Sequence, residues 1–129
     1  GAVIWCASAA WRSSVADAAR MALPSLRLFG KPTMRGVNAM RALERAHPPH
    51  PHHWYLSVLG TDPVHQGHGV GSALIRAVTD RCDEQGLPAY LESSKESNVP
   101  FYARHGFEVV EELPVAGGPS MWPMWREPR

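Results

Sequence analysis

Residues 66–71 read Gln-Gly-His-Gly-Val-Gly, with glycine at 67, 69 and 71, directly ahead of a stretch with helical patterning. No other segment restricts the fold as strongly. Leu74, Ile75, Val78 and Cys82 recur at three- and four-residue spacing, so 72–85 reads as an amphipathic helix, and Gly86 supplies the left-handed residue that ends it. Upstream, 54–59 reads as a strand with Trp54, Leu56 and Val58 on one face and Tyr55, Ser57 and Leu59 on the other. Apolar groups on both faces predict an interior strand covered on both sides. The first turn of the helix presents N–H groups without intrahelical acceptors and the positive end of the helix dipole, and glycines let an anion come close to them. A phosphate or pyrophosphate is the ligand such a loop is expected to hold, with Gln66 adding a polar contact and His68 a charge. The plainer alternative is an ordinary flexible turn.

Other segments extend the pattern. Residues 1–7 read as a short buried strand and 9–23 as a helix ended by Pro24. Thr33 opens a second helix, which His47-Pro48-Pro49 closes. The tract 47–53 holds four histidines, but its prolines keep it extended and no cysteine or acid completes a metal shell. It therefore reads as a solvated linker, and no metal is expected. Residues 89–92 form another strand and 98–104 a short helix with Pro100 in its first turn. Strands at 107–112 and 120–125 follow, the last bulged or at an edge because of Pro123. Strand, two helices, strand, helix, strand, short helix and two strands make an α+β fold, a mixed, mostly antiparallel central sheet with helices on both faces.

At 129 residues and 44% hydrophobic, the chain reads as one domain, 1–129, that needs no disulfide to hold a core. Cys6 and Cys82 read as buried free thiols. Thirteen basic against twelve acidic residues is too balanced for non-specific nucleic-acid binding. No apolar run is long enough to span a bilayer, and no basic segment precedes the apolar start as in a signal peptide, so a soluble cytoplasmic protein without membrane partners is expected. The apolar stretch that opens at Gly1 suggests a fold entered partway, with residues upstream missing.

Three phosphate-binding loops compete for the glycine run. A P-loop needs a Lys ahead of Ser72, where the sequence has Gly71. A dinucleotide fold needs a third glycine where Ser72 stands and a tight turn where 61–66 intervene, although Glu92 lies at a suitable distance for its acidic residue. The pattern Q/R-x-x-G-x-G/A is met at Gln66, Gly69 and Gly71. Here the chain resembles the GNAT (Gcn5-related N-acetyltransferase) superfamily. The residues Trp54-Tyr55-Leu56, Gly60-Thr61-Asp62-Pro63, Leu91-Glu92-Ser93-Ser94, Asn98-Val99-Pro100-Phe101-Tyr102, Gly106-Phe107 and Met121-Trp122-Pro123-Met124 follow in the family's order. Within it the chain looks most like the puromycin N-acetyltransferase type.

The resemblance implies acetyl-CoA as cosubstrate, with its pyrophosphate on the amides of Gly67, His68, Gly69, Val70, Gly71 and Ser72. Its pantetheine arm would pair with backbone at Leu59, Gly60 and Thr61, and Asn98 would touch the arm. Tyr102, four residues on, would give a proton to the departing thiolate. Glu92 is the candidate base, and a backbone N–H near Leu59 or Gly60 the candidate oxyanion donor. The acceptor is expected to be a primary amine of a small molecule, attacking directly. The usual N-terminal strands and helix pair of the family are missing, so residues 9–47, or a partner such as a second copy in a homodimer, would wall the acceptor pocket. The alternatives are a noncatalytic acyl-CoA-binding module and, further off, a dinucleotide-binding oxidoreductase.

Overall fold

The structure, a computed structural model, describes residues 1–7, 38, 41–49 and 51–129. Five strands, β1 (Ala2–Ala7), β2 (Trp54–Gly60), β3 (Ala89–Ser93), β4 (Glu108–Val109) and β5 (Trp122–Arg126), form one sheet in the order β1-β2-β3-β5-β4. Only β2 and β3 run parallel; the other three pairs are antiparallel. Among the described residues the helices include α1 (Val70–Gln85), which connects β2 to β3, and α2 (Val99–Ala103). The helix expected at 9–23 lies outside the described residues, and of the one expected after Thr33, residues 41–46 are helical.

The core lies between α1 and one face of the sheet, where Leu56, Ala89, Leu91 and Met124 meet Ile75, Cys82 and Phe107. These two helical residues sit seven apart, two turns along one side of α1. Thr79 shares that stripe and is buried with its hydroxyl donating to the Arg76 carbonyl. Gly86, at φ 63°, closes α1, and the Leu87 N–H turns back to the Cys82 carbonyl. Cys82 is fully buried, which pushes its thiol up to about 11, whereas Cys6 is only half-buried, contrary to expectation. On the opposite face, Tyr90 packs against His47, which follows the helical residues 41–46, so helices do cover both faces.

Two sequence expectations fail for identifiable reasons. Pro123 places β5 neither at an edge nor in a bulge; the strand lies between β3 and β4. The N–H and C=O of one strand residue point the same way, and the Pro123 carbonyl accepts from Val110 N at 2.9 Å, on the β4 side. The missing N–H therefore removes no bond to β3. It removes the bond that would return to Val110, so β4 ends at Val109 instead of running through 107–112.

The second failure is the strict alternation along β2. Ile4 pairs with Val58 but Trp5 with Leu56, which leaves Ser57 as an extra residue, a β-bulge in β2. Past the bulge the faces exchange. Leu59 joins Leu56 against the core, and Val58 is half exposed.

Candidate active site

The bulge coincides with the end of the parallel pairing. β2 and β3 are bonded from Trp54/Ala89 to Leu56/Leu91 and then part, although β2 continues to Gly60 and β3 to Ser93. A wedge opens between the carboxyl ends of two neighbouring parallel strands, the usual ligand position in such sheets.

Above the wedge, residues 61–66 form a one-turn 3-10 helix at Pro63–His65, capped by Asp62, whose Oδ1 accepts from Val64 N at 3.0 Å. Gly67 (φ 77°) and Gly69 (φ 79°) then take left-handed backbone that a side chain would strain. Gly69 is the N-cap of α1, which thus starts two residues earlier than its pattern suggested, and no side chain caps it. The first intrahelical bond runs from Ala73 N to Gly69 O at 2.9 Å, so the N–H groups of Val70, Gly71 and Ser72 precede the helical ladder. Gly71 serves close packing: a Cβ there would lie 3.2 Å from the Phe101 ring and 3.8 Å from Thr61 Oγ1.

These amides border a cleft of about 470 Å³. Of the residues expected to hold the cofactor, Leu59, Thr61, Gln66, Gly67, Gly69, Val70, Gly71, Ser72, Asn98 and Tyr102 line it. Gly60 and His68 do not. The Gln66 amide donates to Thr61 O at 3.2 Å, tying the loop to the end of β2, and His68 Nδ1 donates to Gln66 O at 2.9 Å. Both side chains brace the loop through backbone carbonyls.

Three lining residues escaped the sequence reading: His65, Phe101 and Arg104. Helical spacing carried a signal for Phe101, since Asn98, Phe101, Tyr102 and His105 are spaced i, i+3, i+4 and i+7. Phe101 packs edge-on against both Tyr102 and His105, and the Arg104 guanidinium lies 5.7 Å from its ring centre. His105 Nε2 is 3.0 Å from Ser72 Oγ, beside the first turn of α1. Burial, reinforced by the charges of Arg76, Arg104 and Arg126, holds this imidazole below its ordinary value. Of these three arginines, Arg104 lines the cleft and Arg126 is paired with Asp83.

A second cleft of about 220 Å³ occupies the wedge, and Leu59, Asn98 and Tyr102 are walls of both. Tyr102 and Glu92 both border it. Burial raises the Tyr102 phenol above its usual range, and no other group contributes. Its hydroxyl has no hydrogen bond to any described residue.

Glu92 is not an exposed acid at a strand end. Its side chain is 4% exposed, on the sheet face opposite α1, with Oε1 3.7 Å from His47 Nδ1. The Tyr90 hydroxyl donates to the Ala46 carbonyl at 3.5 Å, and the phenols of Tyr55 and Tyr90 are both pushed far above the phenol range, first by burial and then by the nearby Glu92. Within the tract 47–53 the solvated-linker reading fails at its two ends, where His47 and His53 are buried among Tyr55, Tyr90 and Trp125, while Pro49, Pro51 and His52 are exposed. The aromatic side chains on β2, β3 and β5, invisible as a group in sequence, draw these two imidazoles in. Among the described residues no cluster of three or more His, Cys, Asp or Glu could hold a metal ion. None of the described helices is long and apolar enough to cross a membrane.

Residues 35–107, more than half of the chain, match the model of the acetyltransferase (GNAT) family. An uncharacterized N-acetyltransferase of Schizosaccharomyces pombe is 45% identical over 62 residues, 48% of this chain and 25% of the relative. A probable serine/threonine-protein kinase of Dictyostelium discoideum is 31% identical over 61 residues, 47% of this chain and 8% of the kinase. The chain thus spans a quarter or less of the length of these relatives. Among solved structures, one described as histone acetyltransferase HPA2 and related acetyltransferase from Corynebacterium glutamicum is 32% identical with a TM-score of 0.57, over 64% of this chain and 45% of that one. Ard1 from Thermoplasma volcanium is 27% identical with a TM-score of 0.53, over 60% and 55%.

Proposed function

The chain belongs to the acetyltransferase (GNAT) family, and on that premise we propose that it moves the acetyl group of acetyl-CoA directly to a primary amine of a small molecule. The observation that carries this reading is the set of open N–H groups at Val70, Gly71 and Ser72 on a cleft that shares its walls with the wedge. Donors without intrahelical acceptors, uncapped by any side chain and on a cleft that Arg104 also lines, suit a diphosphate. Backbone past the bulge at Leu59 to Thr61, released from β3, suits an amide-bearing arm.

Acetyl-CoA supplies an activated acyl group on a good leaving thiolate. The chain's task is to hold it, free the amine of its proton and protonate the sulfur. Tyr102, protonated through the neutral range and without a hydrogen bond to any described residue, serves as the acid. Glu92, across the wedge, serves as the base, and the amide N–H groups near Leu59 and Gly60 stabilise the oxyanion. The resemblance of the sequence to the puromycin N-acetyltransferase type supports a small-molecule acceptor. A polypeptide amine is the second reading, favoured by the likeness to a structure described as a histone acetyltransferase.

Calorimetric titration with acetyl-CoA, followed by thiol release with a panel of small amines and a histone-tail peptide, tests the assignment. Binding with amine-dependent thiol release is expected. Binding without release for any amine would make the chain an acyl-CoA-binding module, and absence of binding would overturn the assignment altogether.

A further inference from the structure

His105 stands outside the cofactor cleft yet is tied to it. It follows α2 closely: its N–H donates to the Tyr102 carbonyl at 2.9 Å, and its own carbonyl accepts from Arg126 Nε at 3.0 Å. Its ring packs edge-on against Phe101, with centroids 5.3 Å apart. Backbone and ring are thus fixed where Nε2 lies 3.0 Å from Ser72 Oγ. Ser72 lines the cleft and His105 does not, so the imidazole reaches a ligand there through the serine hydroxyl.

A serine hydroxyl carries one hydrogen, and the contact with Nε2 decides where it goes. A bare Nε2 takes that hydrogen, and the oxygen then turns only lone pairs toward the cleft, which an anion opposes. An Nε2 that bears a hydrogen donates to Oγ instead. The Ser72 hydrogen is then left for a phosphate oxygen, beside the N–H groups of Val70 and Gly71 that precede the helical ladder. We propose that His105 is a positioning residue for the diphosphate of acetyl-CoA: its Nε2–H fixes the Ser72 oxygen, so that the Ser72 hydroxyl donates to a phosphate oxygen. The inference rests on the acetyl-CoA reading above. A proton linkage follows. The charges that act on the ring are those of Arg76 on α1, Arg104 at the end of α2 and Arg126 on β5, the last paired with Asp83, while Arg129 lies beside Gly106. Burial and the first three hold the free chain's imidazole below its ordinary value. A diphosphate at the first turn of α1 sets negative charge one hydroxyl away and raises the ring's proton affinity in the complex. Binding therefore takes up protons and tightens as pH falls. A protonated ring bears hydrogen on both nitrogens, so Nε2 can then only donate to Ser72.

Calorimetric titration of the whole chain with 3′-dephospho-coenzyme A tests this, because that ligand keeps the diphosphate and lacks the phosphate monoester that itself titrates near about pH 6. At about pH 8, Ser72→Ala should raise Kd about tenfold and His105→Leu about fivefold, with the double variant no weaker than Ser72→Ala alone. His105→Gln, whose amide can still donate to Ser72 Oγ, should bind within about twofold of the wild type at that pH. Between about pH 8 and about pH 6 the wild-type Kd should fall about threefold, whereas that of His105→Gln should stay level. Losses that multiply in the double variant, equal Kd values for His105→Gln and His105→Leu, or the wild-type pH slope retained in His105→Gln would each overturn the inference. If His105→Leu fails to fold, the affinity and pH profile of the glutamine variant still decide it. Failure of the acetyl-CoA reading looks different: the wild type itself would bind neither 3′-dephospho-coenzyme A nor acetyl-CoA.

Discussion

Replacing Tyr102 by Phe isolates one oxygen atom. The ring rests against Phe101 and Phe107, at centroid distances of 5.2 and 6.3 Å, and Phe keeps both contacts. The hydroxyl has no hydrogen bond within the described chain, so its loss strands no partner and stability should change by less than about 0.5 kcal/mol. Positioned acids contribute roughly 10²–10⁴ in rate. A phenol raised by burial is a weaker acid than a thiol, whose ordinary value is near about 8.5, so transfer to the thiolate is uphill and the low end applies. The expectation is a fall of about 100-fold in kcat, or about 2.7 kcal/mol, with kcat/KM falling equally and the acetyl-CoA Kd unchanged. Thiol release measured with a chromogenic disulfide gives the rates, calorimetry gives Kd, and a thermal melt controls for folding. Turnover within threefold of the wild type would refute the acid role. A raised Kd at normal kcat would make Tyr102 a binding residue instead.

Two further substitutions address the loop and the frame. Gly69→Ala places a side chain at φ 79° in open space, so it should cost about 1 kcal/mol of strain and lower Tm by roughly 3–5 °C. Gly71→Ala gains helix propensity of about 0.5–1 kcal/mol but meets Phe101 at 3.2 Å, so Tm should barely move. The displaced ring should raise the acetyl-CoA Kd about fivefold, which calorimetry would detect. Asp83 accepts both Arg126 N–H groups, at 2.8 and 2.7 Å, and Arg129 N at 2.8 Å, and the Arg126 side chain is only 6% exposed. Asp83→Asn should cost about 2 kcal/mol in urea melts at pH 7. Because these donors hold the Asp83 carboxyl below its usual range, its contribution is present above that range and is lost as pH falls through the depressed value. The gap between wild type and variant should therefore close on acidification below about pH 4.

What could be read in advance was local. The stripe of Ile75 and Cys82, the stop at Gly86 and the turn glycines ahead of α1 depend on residues close in sequence, and the structure keeps all of them. The features misread are set by partners distant in sequence. Ser57 becomes a bulge only because Ile4 and Trp5 select Val58 and Leu56 across the strand. Pro123 is tolerated in an interior strand only because its carbonyl faces the end of β4. His47 and His53 leave water for aromatic rings on β2, β3 and β5, up to 72 positions further along the chain for the His53–Trp125 contact. The candidate site shares this division. The glycine loop and the first turn of α1 are one continuous segment, and their geometry was legible. The surroundings of Glu92 are assembled from three strands and a connecting loop, and were not.

The bulge also explains how groups on opposite faces of one sheet can border one cleft. Leu91 points to α1 while its neighbours Tyr90 and Glu92 point to the other face, and Tyr102 packs on the α1 side with the core. In a continuous sheet the layer of backbone hydrogen bonds would separate the phenol from the carboxylate. Here the layer is interrupted after Leu56/Leu91, and the extra residue at Ser57 turns Leu59 toward the core, so that both side chains line the opening. In the proposed mechanism this lets the Tyr102 acid reach the thiolate sulfur and the Glu92 base reach the amine from opposite sides of the sheet without lying within bonding distance of each other. Straightening β2 by deleting Ser57 would restore the pairing and close the opening. On the proposed function, thiol release with an amine should then be lost while calorimetry still detects some affinity for coenzyme A at the loop amides.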